Sequence, residues 1–441
     1  MDYHDVLLIN PPSKKKEIYE HLGLGYLAAC LRKHGISVRI LNTTYLTVPQ
    51  ALTEIKGCNC KVLGVSIPFQ QSGNLAVQLI SRLKKDGVDA HVTIGGIFPT
   101  FSYREIMSMY PEIDTAVLGE GEETFVELVK AILNGKDWRR VSGIACRDNG
   151  EIIETEPRPL IRNLDTIPFP ERDLLPEVLA KTNFAPMLTS RGCYGRCAFC
   201  SVVPFFLKFG PKYRLRSSNN VMEELDILYN KYNVRNVEFN DANFIGGKGR
   251  GLKRAGEIAE EILKRNMDLR FSIQCRPDDV DEEMFAVLKK AGLSKIFLGI
   301  ESGSQSQLDR FRKDTTVEEN LKVLEVLAKL DLIVFMGFIT LDQETTLQEV
   351  DENMSFVRKA DKIMPKKRLY YDLAAKLIPL AGTEAEKKMK DSGRYIGHSL
   401  RFTYKMNNPR LNSVYKSLAL SDHFRRMERE ARNYDRDWMM R

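Results

Sequence analysis

Cys193, Cys197 and Cys200 stand in a Cys-x-x-x-Cys-x-x-Cys run just after the apolar stretch Ala185-Pro186-Met187-Leu188. Thiolates this close suit a small iron-sulfur cluster, and a four-iron cube wants four ligands, one per iron. The run supplies three, so one iron is left open. An open iron can bind a substrate or cofactor directly and pass it an electron, which turns a redox centre into a catalyst of radical chemistry. A structural zinc site would pair two short Cys/His motifs into four ligands. No second Cys-x-x-Cys or His pair follows. Disulfides fit less well still, since nothing marks the chain for export. Among the other cysteines, Cys275 reads as a buried strand residue, Cys30 and Cys146 as core fillers, and Cys58-Asn-Cys60 as a pair too close and without partners.

The elements that must position this run can be read from hydrophobic patterning. A chain of 441 residues suits two or three domains. Over the first 135 or so residues, short β-branched runs alternate with amphipathic stretches, the pattern of a doubly wound, Rossmann-like parallel sheet. Strands are expected at Val6 to Ile9, Val38 to Leu41, Val62 to Ile67, His91 to Ile94 and Thr115 to Leu118, with helices such as Leu24 to His34 and Leu75 to Lys85 between them. Ligands in such sheets sit beyond the carboxyl ends of the strands. There the sequence has Asn10-Pro11-Pro12, Ser66, Gly95-Gly96 and Gly119-Glu120-Gly121-Glu122. A connector from Lys136 to Asn183 holds a hairpin signal at Asp148-Asn149-Gly150 and a proline-rich passage. Six further strand-like runs follow: Ala185 to Leu188, Asn236 to Phe239, Phe271 to Gln274, Ile296 to Ile300, Val334 to Ile339 and Tyr370 to Leu377. The cysteines, Asp241, Arg276 and Glu301 follow the first four of them in turn.

Thr189-Ser-Arg-Gly-Cys193-Tyr-Gly-Arg-Cys197-Ala-Phe-Cys200-Ser resembles the cluster loop of radical S-adenosylmethionine enzymes. The resemblance implies a [4Fe-4S] cluster held by Cys193, Cys197 and Cys200, whose open iron chelates S-adenosylmethionine and cleaves it to a 5′-deoxyadenosyl radical. Phe199 fits the aromatic position before the last cysteine. The family's partial (β/α)6 barrel accommodates the six units, with its active site at the C-terminal strand ends. Gly299-Ile-Glu301-Ser302-Gly303 resembles the family's Gly-Ile-Glu-Ser-Gly, where the glycines admit the cofactor and the carboxylate meets its ammonium or ribose. Arg276 resembles the arginine that pairs with the methionine carboxylate, and Asn240-Asp241-Ala242-Asn243-Phe244 resembles a run that faces the substrate. Glu301 and Asp241 are thereby the expected catalytic residues.

The first domain resembles the cobalamin-binding domain that precedes many such modules, which implies cofactor contacts from Ser66, Gly95, Gly96, Gly119 and Glu120. It lacks the Asp-x-His-x-x-Gly whose imidazole coordinates cobalt elsewhere; related radical enzymes commonly lack it too, so cobalamin is left open. The expected division is 1–137 for this domain, 138–183 for the linker, 184–385 for the barrel and 386–441 for a small helical C-terminal segment. Two features depart from the family. The loop Thr340-Leu-Asp342-Gln-Glu344-Thr345-Thr346 lacks the usual glycines, which suggests a different polar substrate. In the tail, Leu418 to Arg432 has Leu420, His423, Met427 and Ala431 on one helical face, and Tyr404, Tyr415 and Tyr434 either line a pocket or pack on the barrel.

Composition argues for an ordinary soluble protein, with 43% hydrophobic and 28% charged residues. The net charge of +7 is spread along the chain, and Lys14-Lys15-Lys16 and Lys366-Lys367-Arg368 are too short to suggest nucleic acid. Neither a signal peptide nor a membrane span is evident, so a cytoplasmic enzyme acting on a small molecule is expected. The resemblance implies that a reductase, or a flavodoxin or ferredoxin, supplies its electrons. Three functions compete: cobalamin-dependent C-methylation, cobalamin-free dehydration, epimerisation or rearrangement of a polar molecule such as an aminoglycoside, and a non-catalytic electron-transfer or cobalamin-carrier role. The grip on S-adenosylmethionine implied for Glu301 and Arg276 argues against a mere carrier.

Overall fold

The structure, a computed structural model, describes residues 2–14, 19–421, 425–432 and 434. In the first unit, β1 (Asp2–Asn10), β2 (Val38–Asn42), β3 (Cys58–Ser66), β4 (His91–Gly95) and β5 (Thr115–Val117) pair in parallel in the order β2-β1-β3-β4-β5. Helices α1 (Leu22–Lys33), α2 (Val48–Lys56), α3 (Gln70–Lys85), α4 (Ile97–Met109) and α5 (Gly121–Leu133) cover both faces. Val6, Leu7, Leu8 and Ile9 are wholly buried, split between the two hydrophobic layers, which is why β1 reads as an unbroken apolar run. The hairpin β6 (Ile144–Asp148) and β7 (Glu151–Glu154) turns through Asn149 at φ +46° and Gly150 at φ +87°. It extends the first sheet antiparallel from β5, so the connector's first part belongs to that sheet.

After α6 (Leu175–Lys181), the second sheet is wholly parallel in the order β15-β14-β13-β12-β11-β8. Its strands are β8 (Phe184–Met187), β11 (Asn236–Phe239), β12 (Arg270–Cys275), β13 (Leu293–Glu301), β14 (Ile333–Phe338) and β15 (Leu369–Tyr371). Along β13, Ile296, Leu298 and Ile300 bury into the helical layer while Phe297 is open on the other side. The layer comprises α8 (Ser218–Asp226), α9 (Arg250–Lys264), α10 (Glu282–Lys290), α11 (Gln305–Arg310), α12 (Val317–Lys329) and α13 (Leu347–Ile363). Outside the barrel, β9 (Ser190–Gly192) pairs with β10 (Tyr213–Leu215), with α7 (Val202–Leu207) between them. The last strand is shorter than expected: beyond Tyr371 only a bridge from Leu341 to Lys376 continues the pairing.

Buried ion pairs tie the units together. Arg172 of the connector lies between Glu20 at 2.6 Å and Glu224 at 2.7 Å. The tail differs from the helical segment expected, because between α14 (Glu384–Asp391) and α15 (Leu411–Leu420) it forms a hairpin, β16 (Tyr395–His398) with β17 (Arg401–Tyr404). Gln70 of the first unit holds it, donating to Ser399 O at 2.8 Å and accepting from Ala381 N at 2.9 Å. The helix expected from Leu418 to Arg432 is interrupted, since α15 ends at Leu420 and Ser421 is extended. His423, Lys15 and Lys16 lie outside the described residues. Tyr404 packs rather than lining a pocket, its hydroxyl donating to Leu377 O at 3.0 Å, and Tyr434 stacks on Tyr370 at 5.6 Å. Among the described residues no helix is long and apolar enough to cross a membrane.

Candidate active site

The loops leaving β8, β11, β12 and β13 meet over one end of the barrel. The cysteine loop starts from β9, where Cys193 N donates to Lys212 O at 3.0 Å, and it is held further on by Ala198 N donating to Phe311 O at 2.9 Å. Phe199 stacks edge-to-face on Phe311 at 5.4 Å. The three thiols are half-buried. Among the described residues, no three His, Cys, Asp or Glu groups converge as around a single ion; a cube bound through one thiolate per iron needs them further apart. The Gly195 amide lies 3.4 Å from Cys193 Sγ, and Arg276 Nη1 lies 3.4 Å from Cys197 Sγ. Burial pushes the Cys200 thiol up to about 11, opposed by the amides of Val202 and Val203. Its proton is therefore one that metal binding must displace.

Asp241 does not face a substrate. It is wholly buried, and its carboxylate accepts from the Thr189 amide and hydroxyl, both at 3.0 Å, and from the Ser190 hydroxyl. Burial raises its pKa against the nearby charge of Arg254, which itself donates to Thr189 O at 2.9 Å. A carboxylate so enclosed braces the segment that launches the cysteine loop. The neighbouring Asn240 and Ala242 line the cleft instead.

Glu301 ends β13 in the left-handed region at φ +69°, where the register with β14 shifts. Such a conformation costs a non-glycine residue about 1–3 kcal/mol and persists only where its surroundings hold it. Lys313 supplies part of that hold, with Nζ 3.2 Å from Glu301 Oε1. Gly299 leaves them room, since a Cβ there would stand 2.7 Å from Glu301 Oε1 and 2.8 Å from Lys313 Nζ. Ser302 is not available to a cofactor: it is fully buried, its one hydroxyl proton is aimed between Gln307 Oε1 and Asn353 Oδ1, and it accepts from Ser304 N. Asp342 is likewise a brace, buried and accepting from Arg310 Nη2 at 2.8 Å, so it does not mark a polar substrate.

Arg276, expected to meet the methionine carboxylate, has most of its donors committed. Nε donates to Asp278 at 2.9 Å, Nη2 to Asp278 at 3.3 Å and to Lys313 O, and Nη1 reaches Cys197. Lys313 was missed because a lysine after a short helix is unremarkable in sequence. It approaches Glu301 only because Arg312 at φ +52° and Asp314 at φ +57° fold the chain back on either side.

A cleft of about 360 Å³ lies between the C-terminal ends of the two sheets. Ser66, Gly95, Gly96, Gly119 and Glu120 all line it from the first unit, and Leu188, Ser190, Arg191, Gly192, Asn240 and Ala242 from the second. Gly96 is needed there: it sits at φ +113°, and a Cβ would come within 2.8 Å of Ile67 O. Glu120 contributes differently from what was expected. Its carboxylate is taken by Arg191 at 2.7 Å, Arg214 at 2.8 Å and the Ile161 amide at 3.0 Å, which leaves it clamping the two units. Arg191 also pairs with Glu122. Phe125, Phe205 and Phe206 complete a mainly apolar wall, and among the described residues no histidine lines it.

The radical SAM superfamily model matches residues 187–357, and the B12 binding domain model matches residues 14–129. The chain therefore belongs to the radical S-adenosylmethionine enzymes that carry a B12-binding domain. An uncharacterized methyltransferase of Pyrococcus horikoshii, PH0819, is 31% identical over 367 residues, covering 81% of this chain and 78% of that protein. The 4′-phospho-dehydrooxetanocin synthase of Priestia megaterium is 28% identical over 370 residues, 78% of this chain but only 49% of the synthase. The cobalamin-dependent radical enzyme OxsB, solved with aqua-cobalamin and S-adenosylmethionine bound, shares the fold at TM-score 0.79 and 23% identity over 94% of this chain and 66% of its own.

The cofactors of the class are a [4Fe-4S] cluster and S-adenosylmethionine, with cobalamin in the B12-binding domain, and the residues present fit them. Three thiols with amide and guanidinium donors suit the cluster. A glycine-floored, aromatic-walled cleft suits a large flat cofactor that takes no histidine from the protein.

Proposed function

We propose that the chain is a cobalamin-dependent radical S-adenosylmethionine methylase acting on an unactivated carbon of a small molecule. The observation that carries this is the shared cleft, where the glycine-lined ends of the first sheet and the segments flanking the cysteine loop bound one space. The methyltransferase name of the Pyrococcus relative supports it. When bound, the cluster and S-adenosylmethionine supply a hydrogen-abstracting radical, and cobalamin supplies a transferable methyl group.

The chain's own residues bind, orient and exclude water. Cys193, Cys197 and Cys200 hold the cluster, and Arg276 offsets thiolate charge at Cys197. Glu301 and Lys313, a carboxylate beside an ammonium, match the amino and carboxylate ends of the methionine group. Phe205 and Phe206 shield the cleft from water, Phe199 packs on Phe311 beside the cysteine loop, and the burial of Glu301 and Lys313 themselves strengthens their ionic contacts. Gly96 and Gly119 bring backbone close to the corrin. A reductase, or a flavodoxin- or ferredoxin-type carrier, provides the electron.

Anaerobically reconstituted protein tests the reading. It should retain a corrinoid through gel filtration, form 5′-deoxyadenosine with S-adenosylmethionine and reductant, and move labelled methyl from S-adenosylmethionine to a small molecule of the host extract. Deoxyadenosine formation with neither corrinoid retention nor label transfer would reject methylation.

A further inference from the structure

Between Glu177 and Glu223 the chain has no Asp or Glu but seven basic residues, and this stretch contains the whole cysteine loop. Arg191, Arg214 and Arg216 are spent in ion pairs with carboxylates of other segments and Lys181 pairs with Glu177, which leaves Arg196, Lys208 and Lys212. A second stretch without carboxylates, 242–256, adds Lys248, Arg250 and Lys253, while its Arg254 is buried and turned inward onto Thr189 O and Phe244 O. The fold brings the two together. A Cβ on Gly247 would lie 3.8 Å from the Tyr194 ring, and Gly246 packs on Tyr213. Lys212 Nζ donates to Tyr194 O, and Arg196 projects from the loop with its side chain 70% exposed. Carboxylates nearby are mostly spent: Asp314 pairs with Arg196, Asp278 with Arg276, and buried Asp279 accepts from Tyr194, Asn243 and Gly247. Lys248 and Arg250 are exposed, and among the described residues no ion pair engages either.

We infer that Lys248 and Arg250, with Arg196 and Lys212, form the docking face for an acidic one-electron carrier of the flavodoxin or ferredoxin type. The inference rests on the radical reading above, since only a cluster that must be reduced needs such a partner. The step is simple in its balance: the reduced carrier loses one electron, the oxidised cluster gains it, and no atom or proton crosses. A positive face steers an acidic partner by its long-range field, and it adjoins the loop that carries Cys193 and Cys197, through Gly247 against Tyr194 and Lys212 on Tyr194 O. Arg250 opens α9, whose fifteen residues put Lys264 and Arg265 roughly 21 Å away at the other end. That end, where Lys264 and Arg265 pair with Glu261 and Asp226, provides a control of equal net charge.

The test uses reconstituted enzyme with photoreduced flavodoxin, following cluster bleaching by stopped flow. The double reversal Lys248→Glu and Arg250→Glu should slow reduction at least about tenfold at low salt and flatten its salt dependence. Lys264→Glu with Arg265→Glu changes net charge equally and should leave the rate within about twofold. Reduction by photoreduced 5-deazariboflavin, small and neutral, should be the same in all three proteins. Equal flavodoxin rates in wild type and Lys248→Glu/Arg250→Glu would overturn the docking face, as would equal slowing by both doubles. Failure of deazariboflavin to bleach any of them would instead strike at the cluster itself.

Discussion

At the scale of single residues, chemistry is assigned by what each polar group has left to give. Asp241 is committed to its own unit, because three donors from Thr189 and Ser190 already meet Oδ1 of its buried carboxylate and the Thr189 amide also reaches Oδ2 at 3.3 Å. Asp241→Asn should therefore act through structure, costing about 1–3 kcal/mol of stability and lowering iron per chain after reconstitution. Thermal unfolding and iron assay check this; slow turnover with unchanged iron and melting temperature would return Asp241 to a substrate role. Lys313 is the opposite case, since among the described residues its ammonium has one carboxylate partner, Glu301 at 3.2 Å, and two more donors. Lys313→Met should weaken S-adenosylmethionine binding at least tenfold, about 1.4 kcal/mol, read as the loss of the cofactor-induced change in the cluster's electron paramagnetic resonance spectrum. Arg276→Lys should keep that change and shift the cluster's reduction midpoint, because the guanidinium faces sulfur.

At the scale of elements, strands were legible where burial on two faces leaves an apolar run. Asn236–Phe239 matches its expected bounds, and β1 differs only by extending at both ends. The hairpin β16–β17 was not legible: Tyr395-Ile-Gly-His and Arg401-Phe-Thr-Tyr are short and largely exposed, and their support comes from Gln70, more than 300 positions away. The cysteine run and the glycine turns were legible for a related reason, namely that their spacing is itself the chemistry. Which side chain of a loop reaches the site was not, because Asp241, Ser302 and Glu120 show their burial and ion pairs only once distant elements pack. Turn glycines make the sharpest element-level test. Gly96→Ala forces a β-carbon into a backbone at φ +113° and against Ile67 O. It should destabilise by about 1–3 kcal/mol and lower corrinoid retention on gel filtration while leaving iron content intact, since the cysteine loop belongs to the other unit.

At the scale of the whole molecule, the cleft exists only while the two units stay clamped, and Glu120 is the centre of one clamp. Burial alone would raise its pKa, but the guanidiniums of Arg191 and Arg214 outweigh that and hold the carboxyl below its usual range. A carboxyl depressed in the folded state contributes stability that is fully present above the unfolded value, near pH 4, and is lost as pH falls through the lower folded value. Glu120→Gln leaves Arg214 without a charged partner and Arg191 with Glu122 alone, an imbalance that should cost about 3 kcal/mol at neutral pH. The cost should shrink below about pH 4, where the unfolded wild-type chain takes up the proton first, and vanish as pH falls through the lower folded value and the carboxylate of Glu120 loses the same attraction. Denaturant unfolding of both proteins at pH 7 and at successively lower pH measures the difference directly. A gap that stayed constant with pH would mean that Glu120 joins the units by shape and hydrogen bonding, and that charge has little part in keeping the cleft closed.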